Sequence, residues 1–290
     1  MDRRRSRVGA VLVSLLACGA LPACAASAIE VGGIEGAVSQ SRTQYADRVV
    51  SLVVRAAGEA LTLTAAELRA DGFTDSSVDG LEMRIGPDRP RGVAVPVPLG
   101  QAVCGPGDGA VALDPSASEE SARVSLTVQQ DGFGATVLEV AATDPLDRLA
   151  VIPKEDCAAA AVAGAAALTI EDRVEDLGDG TAQLRLRIAP VPGGPEVRIE
   201  EIQATTLFSR ADGATWTGSA LESQSSGEVP LRIIPSRCDA HVLAEDKRGT
   251  FVPVHASVDG VRQAPMYVPV PDAARRALIE FITRTCGLGE

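Results

Sequence analysis

The chain repeats itself around two pairs of cysteines, and this constrains its architecture more than any other feature. Val95-Pro96-Val97, Leu99 and Cys104 are matched by Val229-Pro230-Leu231, Ile233 and Cys238 without a gap. Downstream, Asp144, Arg148, Leu149 and Ile152 lead to Cys157, while Asp272, Arg276, Leu278 and Ile279 lead to Cys286. The simplest account is two similar modules, each with its own cysteine pair. Four cysteines allow three connectivities. The repeat selects Cys104–Cys157 and Cys238–Cys286. Bridges of this kind belong to an oxidising compartment, and closing loops of this size contributes about 4 kcal/mol each in the chain-entropy model.

The N-terminus predicts export. Arg3, Arg4, Arg5 and Arg7 form a basic n-region, followed by an uncharged run from Val8 to Ala23. That run is short for a membrane span and has the layout of a secretory signal. Leu21-Pro22-Ala23-Cys24 resembles the processing box of bacterial lipoproteins, an aliphatic residue three positions before the lipid-modified cysteine and a small residue just before it. Leu15-Leu16-Ala17-Cys18 has the same outline. Both depart from the pattern at the middle position. The resemblance implies a diacylated cysteine, and two acyl chains anchor far more firmly than one. Cys24 is the expected attachment point, because cleavage there removes the whole apolar run. The alternatives are Cys18, plain secretion with cleavage after Ala25 or Ala28, or an uncleaved anchor. The expected location is the outer face of a bacterial cell membrane, or the medium.

Charge narrows the partners. Cleavage before Cys24 takes four arginines and one aspartate from a chain of net charge −12, leaving it more acidic still. Nucleic acid demands a basic surface, and anionic lipid headgroups attract basic segments. Neither is therefore an expected partner. The membrane is reached through the lipid, and the expected macromolecular partner is another envelope protein.

Residues 25–44 are small and polar without a sustained period and read as a flexible tether. After them come short aliphatic and β-branched runs separated by Gly, Asp and Pro. Arg123-Val124-Ser125-Leu126-Thr127-Val128 alternates strictly, as a strand with one dry and one wet face does. Leu184, Leu186 and Ile188 do the same in the second copy. The spacing predicts an all-β chain of two tandem immunoglobulin-like β-sandwich domains, with at most a short C-terminal helix. The acidic stretch from Ile170 to Gly180 sets the boundary, giving residues 45–169 and 178–290, each able to fold alone. The best helix candidate is Asp272–Arg284, opened by Asp272 after Pro271. In the matching stretch Pro153 argues against a helix interior, so a helical turn followed by a strand is one reading there. Trp216 reads as a core residue.

Candidate chemistry is sparse. The densest polar cluster runs from Cys238 to Gly249, where Asp239, His241 and Glu245 combine imidazole and carboxylate as a divalent-metal site does. Solvated charges on a hairpin tip explain the same residues. No G-x-S-x-G elbow, P-loop or dinucleotide fingerprint occurs, so no cofactor or catalytic residue is expected. Aromatics make up 3% of the chain, too few for the stacking platforms of carbohydrate or single-strand binders. The expectation is a non-enzymatic envelope protein acting as a protein-interaction module. A small-ligand or metal-binding envelope protein is the alternative, and a secreted hydrolase comes third.

Overall fold

Buried and exposed residues alternate along nearly every strand of the computed structural model, which describes residues 33–110, 122–213, 215–217, 227–239, 241, 243 and 250–288. The first half of the chain holds strands β1 (Ile34–Ser39), β2 (Val49–Ala56), β3 (Leu61–Ala70), β4 (Ser76–Val78), β5 (Met83–Ile85), β6 (Val93–Pro98), β7 (Ala122–Gln129) and β8 (Thr136–Thr143). A short helix α1 (Arg42–Ala46) lies between β1 and β2, and helix α2 (Arg148–Ala165) follows β8. The second half holds β9 (Ala166–Ile170), β10 (Glu175–Asp176), β11 (Ala182–Pro190), β12 (Val197–Gln203) and β13 (Phe208–Arg210). It continues with β14 (Thr215–Thr217), β15 (Gly227–Pro235), β16 (Phe251–Val258), β17 (Val261–Arg262), β18 (Met266–Pro269) and helix α3 (Asp272–Thr285). The molecule is predominantly β, with several sheets and a helix at its C-terminal end.

Strand pairing repeats as the sequence does. In the first half β1 pairs with β2 and β2 with β6, while β3 pairs with β7 and β7 with β8, all antiparallel. In the second half β9–β11–β15 and β12–β16–β18 repeat both ladders. Even the irregularities correspond. A β-bulge falls between Leu63 and Ala65 on β3, and another between Ile199 and Glu201 on β12. Each puts two half-buried residues side by side before the alternation resumes. The halves differ at the seam between their ladders. Gly36 and Ala37 of β1 pair in parallel with Ala142 and Thr143 of β8, joining the first half's ladders into one eight-stranded sheet. The second half keeps two five-stranded sheets.

The repeated Val-Pro-Val and Val-Pro-Leu segments are β6 and the middle of β15. Val93, Val95 and Val97 point into one core, and Val229, Leu231 and Ile233 into the other. Pro96 and Pro98 sit on β6 at the edge of the sheet, where a missing N–H costs no ladder bond and discourages further strand pairing. Both disulfides join cysteines within one copy. Cys104 and Cys157 have Cα atoms 5.4 Å apart, and Cys238 and Cys286 5.1 Å.

Three expectations are corrected. Residues 34–39 are not part of a tether: they form β1, hydrogen-bonded between β2 and β8. The strand was hard to read because Gly36 carries no side chain to mark an alternation, and its neighbour on β8, Ala142, lies far along the chain. A second helix also exists. Helix α2 runs for 18 residues through Pro153. Proline in a helix interior costs about 3 kcal/mol, but tertiary contacts offset it. The Pro153 ring lies against Gly72, Arg48 grips Asp156 through two 2.7 Å hydrogen bonds, and Cys157 is bridged. The Ala-rich stretch beyond it has the best intrinsic helix propensity.

The boundary also moves. Ala166–Pro190 holds a complete antiparallel pair, β9 with β11, so β9 belongs to the second half rather than to 45–169. Helix α2 straddles both cores. Leu149 and Ile152 pack with the first, whereas Val162 and Ala165 pack with the second. The described residues cluster as one compact unit. Helix α3 covers the second core alone with Ala274, Leu278, Phe281 and Ile282, one face of a 3.6-residue repeat. Trp216 is buried in that core. Among the described residues no helix is long and apolar enough to cross a membrane.

Candidate binding face

The outer face of β3, β7 and β8 is assembled by pleat and register. Leu63, Ala66 and Leu68 of β3 and Val124, Leu126 and Val128 of β7 point inward. Successive side chains alternate sides, so Ala65, Glu67 and Arg69 point outward beside Thr127, Ser125 and Arg123, their pairing partners. On β8, Val137 stands next to Thr127, and Glu139 next to Ser125. The centre of the face is short: Ala65, Ser125 and Thr127 floor a shallow depression of about 310 Å³, closed on one side by Asp75, Ser76, Ser77 and Asp79. The Ser125 hydroxyl donates to Glu139 at 2.6 Å. Val137 is 61% exposed, and Phe133, at the tip of the β7–β8 hairpin, is 46% exposed.

Acids dominate the rim. Arg69 is shared among three of them, at 2.8 Å from Glu67, 3.5 Å from Asp75 and 3.8 Å from Glu139. The hydrogen bond and charge of Glu67 hold the Arg69 guanidinium above its usual pKa. Asp79 has no ion pair among the described residues.

The equivalent face of the second half is filled and covered. Glu201 pairs with His255 where Ala65 pairs with Thr127. Gln203 donates to Glu201 at 3.1 Å and lies 3.0 Å from His255 Nε2. His255 Nδ1 is buried without a hydrogen-bond partner among the described residues. Burial lowers the His255 pKa, against the pull of Glu201 and together with the charge of Arg262. Arg262 also reaches Glu200 at 3.3 Å and Glu201 at 3.5 Å, so both acids here have a cation. Along the same strands stand Phe251 and Tyr267. Tyr45 of α1 meets both edge-on, at 5.7 Å between ring centroids. Helix α2 packs beside β16 and β18. Gly109 O accepts the Ala264 N–H at 2.6 Å.

The residues singled out in the sequence lie elsewhere. Cys24 and Glu245 are outside the described residues. Asp239 is half-buried with Arg237 Nε at 3.6 Å, and His241 is exposed. Among the described residues no group of three or more His, Cys, Asp or Glu side chains is placed to hold a metal ion. The outer-face residues were missed. Alternation in Arg123–Val128 marked a wet face, but it carries no sign of which wet face stays open. In comparison with known proteins, the chain matches no family model and no curated sequence.

Proposed function

We propose that this chain is a non-enzymatic, exported envelope protein, anchored through lipid on Cys24, whose two immunoglobulin-like sandwiches form a protein-interaction module. The strand plan supports the immunoglobulin-like reading. A β1–β2–β6 ladder and a β3–β7–β8 ladder, with β1 crossing to lie parallel to β8, is the arrangement of such a sandwich, and both ladders occur twice. Two disulfides fit an oxidising compartment.

The observation that carries the interaction role is internal to the molecule. The outer face of the second half already serves as a docking surface, for Tyr45 of the first half. The same face of the first half is built on the same strands and stands open, with Val137 and Phe133 exposed. A photo-crosslinking residue at Val137 in the membrane-bound protein is expected to capture a discrete protein partner. The same residue at Leu177, exposed on the second half, is expected to capture none. Equal labelling at both sites, or none at Val137, rejects the face. Cys24→Ala is expected to release the chain from the membrane, and retention equal to wild type rejects the anchor.

A further inference from the structure

The two outer faces share their backbone plan, yet their charge is handled differently. In the second half Glu200 and Glu201 share Arg262, Gln203 bridges Glu201 to His255, and the floor is full. In the first half one arginine serves Glu67, Asp75 and Glu139. Asp79 adds a fourth carboxylate on the same rim. Where Phe251 and Tyr267 meet Tyr45 in the second half, register places Arg123 and Glu139 in the first. The open face therefore lacks the aromatic pair that receives Tyr45 and has an excess of negative charge around a short-floored depression. Residues 171–181, which occupy in the second half the place of α1 in the first, contain no aromatic residue. A second copy of the chain is itself acidic, with net charge −12, and so is not complementary to this face.

We infer that the partner segment docking on the β3–β7–β8 face is basic, presenting arginine or lysine side chains that reach over Ala65, Ser125 and Thr127 to the carboxylates of Asp75, Asp79 and Glu139. This rests on the reading of the chain as a protein-interaction module. A long cationic side chain fits both features of the site. Its aliphatic stem covers Ala65 and Val137, and its head meets the acids at the rim. Complementary potential of this kind sets partner choice and association rate, and weakens with salt.

The test uses the full chain and a labelled, capped peptide of alternating arginine and alanine, with a glutamate–alanine peptide as comparator. The basic peptide is expected to bind and the acidic one not, with affinity falling as salt rises. Asp75→Asn, Asp79→Asn and Glu139→Gln together are expected to weaken binding about tenfold, the sum of three exposed charge contacts. Glu82→Gln, Asp88→Asn and Asp172→Asn together remove the same charge from other exposed positions and are expected to leave affinity unchanged. Equal loss in both triple variants, or no binding of the basic peptide, overturns the proposal. So does self-association of the chain that the face triple abolishes, which points to a second copy as occupant. Crosslinking from Val137 that persists undiminished in the face triple leaves the docking face standing and rejects only its basic partner.

Discussion

Where the first half sets Ala65 opposite Thr127, the second sets Glu201 opposite His255, on strands with the same pairing, a bulge at the same place and aliphatic residues at the same inward positions. The cores are alike in pattern because both must bury alternating aliphatic side chains between two ladders, and a packed interior keeps its patterning and total volume even where single positions change. The outer faces carry no such constraint. One has been filled and covered by Tyr45, α2 and the Gly109 loop, and the other has been left open with unbalanced acids. A repeated strand plan thus supplies one face to hold the molecule together and one face to spare.

The harshest way to break this comparison is to cut the molecule. Residues 178–290 alone lack β9, the antiparallel partner of Leu186–Pro190, and lack Val162 and Ala165 from their core. They also uncover Phe251 and Tyr267. This fragment is expected to show no cooperative urea transition, whereas the intact chain shows one. A sigmoidal transition for the fragment, of native-like steepness, would establish the second half as self-sufficient and α2 as a mere link.

A milder break acts on the cover. At Gly109 a Cβ would lie 2.6 Å from the Ala158 backbone nitrogen, beside the bridged Cys157, and the Gly109 carbonyl holds Ala264 across the junction of the halves. Gly109→Ala is expected to cost about 1–3 kcal/mol, the range for forcing an extra methyl into a packed site, read as a lower denaturation midpoint. Loss below about 0.5 kcal/mol, the range of ordinary surface changes, would mean that the loop shifts freely and covers nothing.

The smallest effect separates the two faces by titration. His255 belongs to the filled face alone, and its pKa in the fold lies below the ordinary 6.5 because burial disfavours the charged ring. The unfolded chain therefore takes up a proton before the folded one does. Stability from this group is full above 6.5 and declines as pH falls below it. His255→Gln is expected to flatten that part of the stability profile. An unchanged profile would assign the pH dependence to other groups.

Much of the fold was legible because it rests on period-two alternation. Leu184, Leu186 and Ile188 announce β11, and the repeat announced β6 and β15 with their cysteines. What escaped depends on neighbours distant in the chain. Gly36 looks like linker until Ala142 is placed against it, and Pro153 looks like a helix breaker until Gly72, Arg48 and Cys104 hold its helix. The boundary near 170–180 failed for the same reason: the acidic stretch there marks a connection between β9 and β11, not a gap between cores. The outer face was invisible because a bulge leaves no mark on the sequence, and because Ala65, Ser125 and Thr127 become a floor only once register sets them side by side.

Both bridges join cysteines that are next to each other along the folded part of the chain, 104 with 157 and 238 with 286, and neither encloses a cysteine of the other. A polypeptide is delivered N-terminus first. Cys104 and Cys157 can find each other while Cys238 is still to come, and Cys238 then meets Cys286 as the last partner to arrive. Pairing in order of emergence thus reaches the native connectivity without shuffling. Val162 and Ala165 follow Cys157 on the same helix, so the first closure holds ready an apolar turn on which the second core can start to build.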